Sequence, residues 1–299
     1  VTPEPLPSAS VLAPARAEDA GKPSPPIAEK PDPSRYTWLA DSSSESPEAV
    51  DTLAARFATP SGATRVPVEP GSFGEWLRSL PLAAPGTPVK TFKGEIVAAG
   101  DNQYLGAVIA IDVGKIDLQQ SPDAFIRLHA EWLWSQGNKD ITYRGATGLD
   151  MPVARWARGE RMDAQGAGVF WVMKSKPAEL DHAEFRRYLN AVFTWANSTS
   201  LAQQAEAVEA KDIQPGDFFV HLGSPGHTLI VLDVAQKPKG PPLALLGQAL
   251  NPSENLFVLQ LGTATAWFSL RAPDPIITPH TKEFTWDGLR RLGKPKPAG

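Results

Sequence analysis

Four apolar runs of strand length close this chain, and a turn signal separates each from the next. They read IQPGDFFVHLG, HTLIVLDVAQ, PLALLGQAL and LFVLQLG. Between them stand GSPG, KPKGPP and NPSEN, where Gly, Pro and Asn break extended segments. Connections this short join antiparallel strands, because a parallel crossover takes about a dozen residues or more. The last third of the chain is therefore expected to form an antiparallel sheet.

The preceding part has a different rhythm. YLGAVIAIDV (Tyr104 to Val113) is apolar and β-branched and reads as a buried strand. It is followed by DLQQSPDAFIRLHAEWLW, whose Phe125, Ile126, Leu128, Trp132 and Leu133 cover much of a helical circumference. That pattern predicts a central helix buried on more than one side. AEFRRYLNAVFTWANS places Phe185, Tyr188, Leu189, Val192, Phe193 and Ala196 on one helical face, and GSFGEWLRSLPL does the same with Phe73, Trp76, Leu77 and Leu80. VDTLAARFATP reads as a short helix ending at Pro60. Helices first and strands after give an α+β class, a central helix packed on an antiparallel sheet. No second linker interrupts residues 51–299, so they are expected to form one domain.

Residues 1–50 differ. Nine prolines fall before Tyr36, and Ala, Ser and Glu fill most of the remainder. Such a segment buries too little apolar surface to offset its ordering entropy and reads as a disordered, extended tether. A tether behind a chain that starts at Val1 gives the expectation of an exported protein of the periplasm or cell envelope, held off a membrane or wall. A tail on a cytoplasmic protein is the alternative. No apolar run approaches the roughly 18–20 residues of a membrane span. The net charge of −4 comes with both signs interspersed and no run of Lys or Arg, which argues against a nucleic-acid partner. There is no cysteine, so disulfides, thiolate metal sites and a cysteine nucleophile are excluded.

Ser121 opens the central helix and has two readings. As structure, Ser-Pro-Asp is a helix start, with Ser121 as cap, Pro122 at the first helical position and Asp123 complementing the dipole. As chemistry, a helix start is a recurring nucleophile position, and a serine there needs an adjacent base. His227 is the candidate base, because it follows a Ser-Pro-Gly turn and opens a strand. Gln248, or Asn251 beyond it, is the candidate orienting amide, and Gln119 or Gln120 could donate to an oxyanion. His129, His182, His221 and His280 are scattered without metal-ligand spacing, so no metal is expected, and no motif calls for a cofactor. Asp217, Asp233 and Glu131 have no spacing that pairs them for acid–base work. Nine tryptophans could pack the core or, if clustered on the surface, bind glycan or peptide.

FGEWLRSLPL, AVIAIDV with DLQQSPDAFIRLHAEWLW, ARWARGER, FRRYLNAVFTWANSTSL, IQPGDFFVHLGSPGHTLIVLDVA and LLGQALNP together resemble a bacterial family known as a domain of unknown function, DUF4846. The resemblance covers nearly all of residues 65–270. It implies an exported or lipid-anchored envelope protein, with cysteine in the family where this chain has Ser121; the lipid-bearing cysteine of an anchor is absent here. The order of helix-start residue, Gly-His opening a strand and an amide on the next strand also resembles the papain-like NlpC/P60 and CHAP hydrolases, which cut amide bonds in wall peptides. That likeness implies a papain-like fold with Ser121 in the nucleophile's place, His227 as base and Gln248 or Asn251 as orienting group. Three expectations follow: an amidase or peptidase acting on peptidoglycan peptides, a silent relative that binds such a peptide or another envelope protein, or a structural envelope protein.

Overall fold

The computed structural model describes residues 30–41, 45–166, 168–223, 225–262, 265–279 and 283–293. The first 29 residues of the expected tether lie outside these. The packed unit nevertheless reaches back past residue 51. Tyr36 and Trp38 are buried in the main core, and Trp38 Nε1 donates to the Ala110 carbonyl at 2.7 Å. Ala49–Thr52 is a strand paired antiparallel with Pro81–Ala83. The boundary expected at residue 50 is thus too late, because two large aromatics sit inside a segment whose average composition is poor in apolar residues.

The expected antiparallel sheet is present. Its central strands are β1 (Leu105–Val108), β2 (Asp217–His221), β3 (His227–Gln236), β4 (Leu243–Gln248), β5 (Phe257–Leu259) and β6 (Leu289–Arg291). In space they run β6-β2-β3-β4-β5-β1, and Glu206–Ala207 extends the β6 edge. Thr64–Arg65 pairs with the end of β3 and Trp267–Ser269 with the start of β4, so the fold class is α+β around a mostly antiparallel sheet. The strand expected over Tyr104–Val113 is shorter than its apolar run, although Ile109, Ala110 and Ile111 beyond it remain buried.

Three helices cover one face: α1 (Phe73–Arg78), α2 (Ser121–Ser135) and α3 (His182–Trp195). Ser72 caps α1 through Glu75 N–H, and Asp181 caps α3 through Glu184 N–H at 2.7 Å. α2 is the central helix expected, with every residue from Ser121 to Leu133 buried. Its Phe125 ring packs, tilted by 40°, against Phe218 of β2 at 4.2 Å between centroids. The core under the helices takes Phe218 and Val220 from β2, Ile230 and Leu232 from β3, and Leu245 from β4. The alternate residues Phe219, Leu229, Val231 and Leu246 enter a second core on the opposite face, which Phe268, Ile276 and Phe284 close.

A bulge between Val231 and Asp233 shifts the β3–β4 register. It brings the buried Asp233 carboxylate to Arg65 Nε at 2.5 Å and Arg78 Nε at 2.7 Å. Asp217 is likewise buried and paired with Arg291 at 2.6 Å. Both carboxylates are thus tied to arginines from other elements.

Candidate functional site

The α2 start differs from the expected cap. Gln120 is the N-cap, with extended backbone at φ −79° and ψ −173°, and Ser121 is already the first helical residue. The Ser121 hydroxyl is 1% exposed and turned to the sheet. Its Oγ accepts the Thr228 backbone N–H at 2.9 Å and donates to the Thr228 carbonyl at 3.3 Å. The Thr228 hydroxyl in turn donates to the Ser121 carbonyl at 2.7 Å. One acceptor lone pair and the only donor of Ser121 are therefore engaged by the sheet.

Thr228 pairs with Val220 and His227 with His221. Successive side chains of a strand point to opposite faces. Thr228, Ile230 and Leu232 face α2, so His227 falls with Leu229 and Val231 on the far face. The same alternation places Gln248 with Leu246, away from α2, while Leu245 and Ala249 face it. The structure bonds Ser121 to Thr228, the residue that follows His227, but the alternation of β3 turns the His227 side chain to the other face of the sheet, and Ser121 Oγ bonds Thr228 rather than a histidine. The alternative orienting amide, Asn251, is exposed, and the expected oxyanion amides are elsewhere: Gln120 Nε2 donates to Asp117 at 3.3 Å, and Gln119 is buried in a separate ionic cluster. His280 lies outside the described residues.

That cluster had no counterpart among the expected site residues apart from Gln119, and it joins α2 and α3 through charged side chains. Arg127 of α2, 1% exposed, donates from Nε to Glu131 at 2.8 Å, from Nη2 to Asp112 at 2.8 Å and from Nη1 to Gln119 at 3.1 Å. His182 Nε2 lies 3.0 Å from the Glu131 carboxylate, and its Nδ1 lies 3.6 Å from Asp41. Arg186 Nη2 reaches Gln119 at 3.2 Å, the Val113 carbonyl at 3.4 Å and Asp112 at 3.5 Å. Burial would raise the Asp112 carboxyl, but Arg127 and Arg186 hold it well below the usual range. Burial likewise opposes ionisation of Glu131, and Arg127 and His182 override it. Burial opposes the charge on His182, and its bond to Glu131 more than restores it. Arg186 is pushed down to about 10 by burial and by its neighbour Arg127.

A cavity of about 150 Å³ opens onto this cluster, lined by Asp112, Gly114, Lys115, Arg127, His182 and Arg186 among others. Gly114 has φ +85°, and a Cβ there would stand 2.9 Å from Arg186 Nη2, so glycine leaves room for the guanidinium. The signal for this cluster was an Arg–Glu pair at i, i+4 inside a helix expected to be buried on more than one side. Charges in such a place require partners.

His129 and Asp123 show the cost of charge on the same helix. His129 packs against Phe73 and Trp132, with Nδ1 at 3.0 Å from the Tyr143 hydroxyl, and burial pushes it down to about 3. Burial pushes the Asp123 carboxyl up, and no cation pairs with it among the described residues. None of the nine tryptophans is exposed, so they build core rather than a sugar-stacking platform. No helix among the described residues is long and apolar enough to cross a membrane.

Neither the curated proteins nor the solved structures provide a match to this sequence. The family described as "Domain of unknown function (4846)" matches residues 53–291, which includes α1, α2, α3 and the whole central sheet. The chain belongs to the DUF4846 family.

Proposed function

We propose that this protein is a catalytically silent module of the cell envelope, a papain-like scaffold that binds a wall peptide or another envelope protein without cutting it. The observation that carries this reading is the pair of hydrogen bonds between Ser121 and Thr228. The position that a papain-like hydrolase gives to its nucleophile is used here to fasten helix to sheet. A serine becomes a nucleophile only with a base at hydrogen-bond reach, and the side chain at reach is the Thr228 hydroxyl, 3.4 Å away. The papain-like element of the proposal is supported by the central helix starting against β3 of an antiparallel sheet. Export is supported by the Pro-rich N-terminal segment and by the family likeness described above.

The test is co-sedimentation of the purified protein with insoluble wall sacculi, together with assay of the supernatant for released peptides. Retention on the sacculi with no release, unchanged by Ser121→Ala as far as the variant folds, is the expected result. Release of peptides that stops in Ser121→Ala would overturn the proposal in favour of an amidase.

A further inference from the structure

The strands Glu160–Gln165 and Gly168–Met173 form a hairpin outside the central sheet, and among the described residues they pair only with each other. One face of the hairpin is fastened to the body. Val169 is buried, Trp171 Nε1 donates to the Asp150 carbonyl at 3.0 Å, and the Arg155 guanidinium lies over the Trp171 ring at 5.1 Å. Strand alternation gives the other face to Phe170 and Val172. Phe170 is 53% exposed, and Met173 at the end of the strand is 66% exposed.

Each strand therefore has an outer edge with no strand beside it among the described residues, and such an edge is a template for another strand. The two edges differ in chemistry. ERMDAQ carries Glu160, Arg161 and Asp163, and charges of this kind keep an edge from pairing. GVFWVM has no charge and no proline, and its five residues after Gly168 are all large and apolar. The next residue, Lys174, is bridged to Asp163 of its own hairpin at 2.7 Å. An uncharged strand can lie beside its own copy without opposing like charges, and its aromatic and β-branched side chains then meet across the join. An antiparallel pair of this kind uses the same edge from both copies and closes at two.

We propose that the Gly168–Met173 edge pairs antiparallel with the same strand of a second copy of this chain, so that two hairpins become one four-stranded sheet. The charged edge of Glu160–Gln165 then forms both outer borders of that sheet and stops its growth. A strand of six residues is about 20 Å long, which makes a small contact, so the dimer belongs to the transient class. This inference goes beyond the binding function proposed above and does not depend on it.

The experiment is sedimentation equilibrium of the full chain up to about 1 mM, with amide hydrogen exchange measured at both ends of the concentration range. A reversible monomer–dimer equilibrium is expected, with a dissociation constant on the order of 10–100 µM. Exchange at Val169–Met173 is expected to slow several-fold as the dimer forms. Phe170→Lys combined with Met173→Lys places like charges along the join at two exposed positions. It is expected to weaken the dimer about tenfold or more, with the melting temperature unchanged. Ala164→Lys, exposed on the other strand, is the control and is expected to leave the dimer as it was. A chain that stays monomeric throughout would overturn the inference. So would a dimer that survives the two lysines, because its interface would lie elsewhere, or assembly that continues past two. Concentration-independent protection of Val169–Met173 would also overturn it, because the edge would then be covered from within its own chain.

Discussion

Replacing Arg127 by methionine keeps most of the side-chain length and removes the charge that holds two carboxylates together. Glu131 is then left with His182 alone, and Asp112 with Arg186 at 3.5 Å. Breaking a buried pair by removing one partner costs about 3–5 kcal/mol, because the remaining charge keeps its desolvation penalty. Two partial replacements, His182 and Arg186, put the expected loss at the lower end, about 3 kcal/mol. Urea unfolding at pH 7, followed by tryptophan fluorescence, measures it. The pH dependence is the sharper check. In the native protein Asp112 and Glu131 titrate below their ordinary range, so they add stability above that range and lose it on acidification. Without Arg127, burial is opposed only by Arg186 at Asp112 and by His182 at Glu131, so the folded pKa values of both carboxyls rise. Acidification then costs the variant less than the parent, so the gap is expected to narrow from pH 7 to about pH 4. A loss below about 1 kcal/mol, or a gap that stays constant with pH, would refute the description of Arg127 as the hub of this cluster.

Other consequences are as direct. Ser121→Ala leaves the Thr228 N–H without its acceptor in a buried place and is expected to cost about 1–3 kcal/mol in urea unfolding; a neutral substitution would mean that the Ser121–Thr228 bonds are dispensable. His129 sits at about 3 when folded, so stability is expected to fall as pH drops from about 6.5 to 3, by up to about 1.4 kcal/mol per unit. His129→Gln should flatten that limb of a melting-temperature profile, and an unchanged limb would assign acid lability elsewhere. Glu254 is pushed up to about 7 by burial, so it disfavours the fold as pH rises from about 4.5 through 7. Glu254→Gln should therefore remove a decline in melting temperature over that range, and a steeper decline would contradict the sign.

Much of this architecture could be read from the residues. The wide apolar coverage of DAFIRLHAEWLW announced a helix buried on more than one side, and α2 is buried at every residue from Ser121 to Leu133. The turn signals around GSPG and KPKGPP marked the hairpins of β2, β3 and β4. The relation of Ser121 to His227 was not legible, and the reason is physical. HTLIVLDVAQ has an unbroken apolar run, LIVL, and is buried at eight of its ten positions because both faces of β3 are covered, so it lacks the alternation that tells which residues point to the helix. A one-residue change of parity exchanges the faces, and here it sends Thr228 rather than His227 to α2. The ionic cluster was half legible. Arg127 and Glu131 stand one turn apart in a buried helix, but Asp112, His182 and Arg186 reach them only through tertiary packing. Tyr36 and Trp38 were hidden by the prolines around them.

The most direct measurement is the labelling rate of Ser121→Cys, a chain that then carries one cysteine, with a soluble thiol reagent across pH. A side chain that bolts α2 to β3 is expected to react in the native protein only through unfolding, with a rate that follows urea-measured stability and reaches that of a free thiol in denaturant. Native-state labelling faster than an exposed cysteine, with a thiolate titrating below about 8.5, would mean that a base does reach this position, and the account of Ser121 as a structural residue would be wrong.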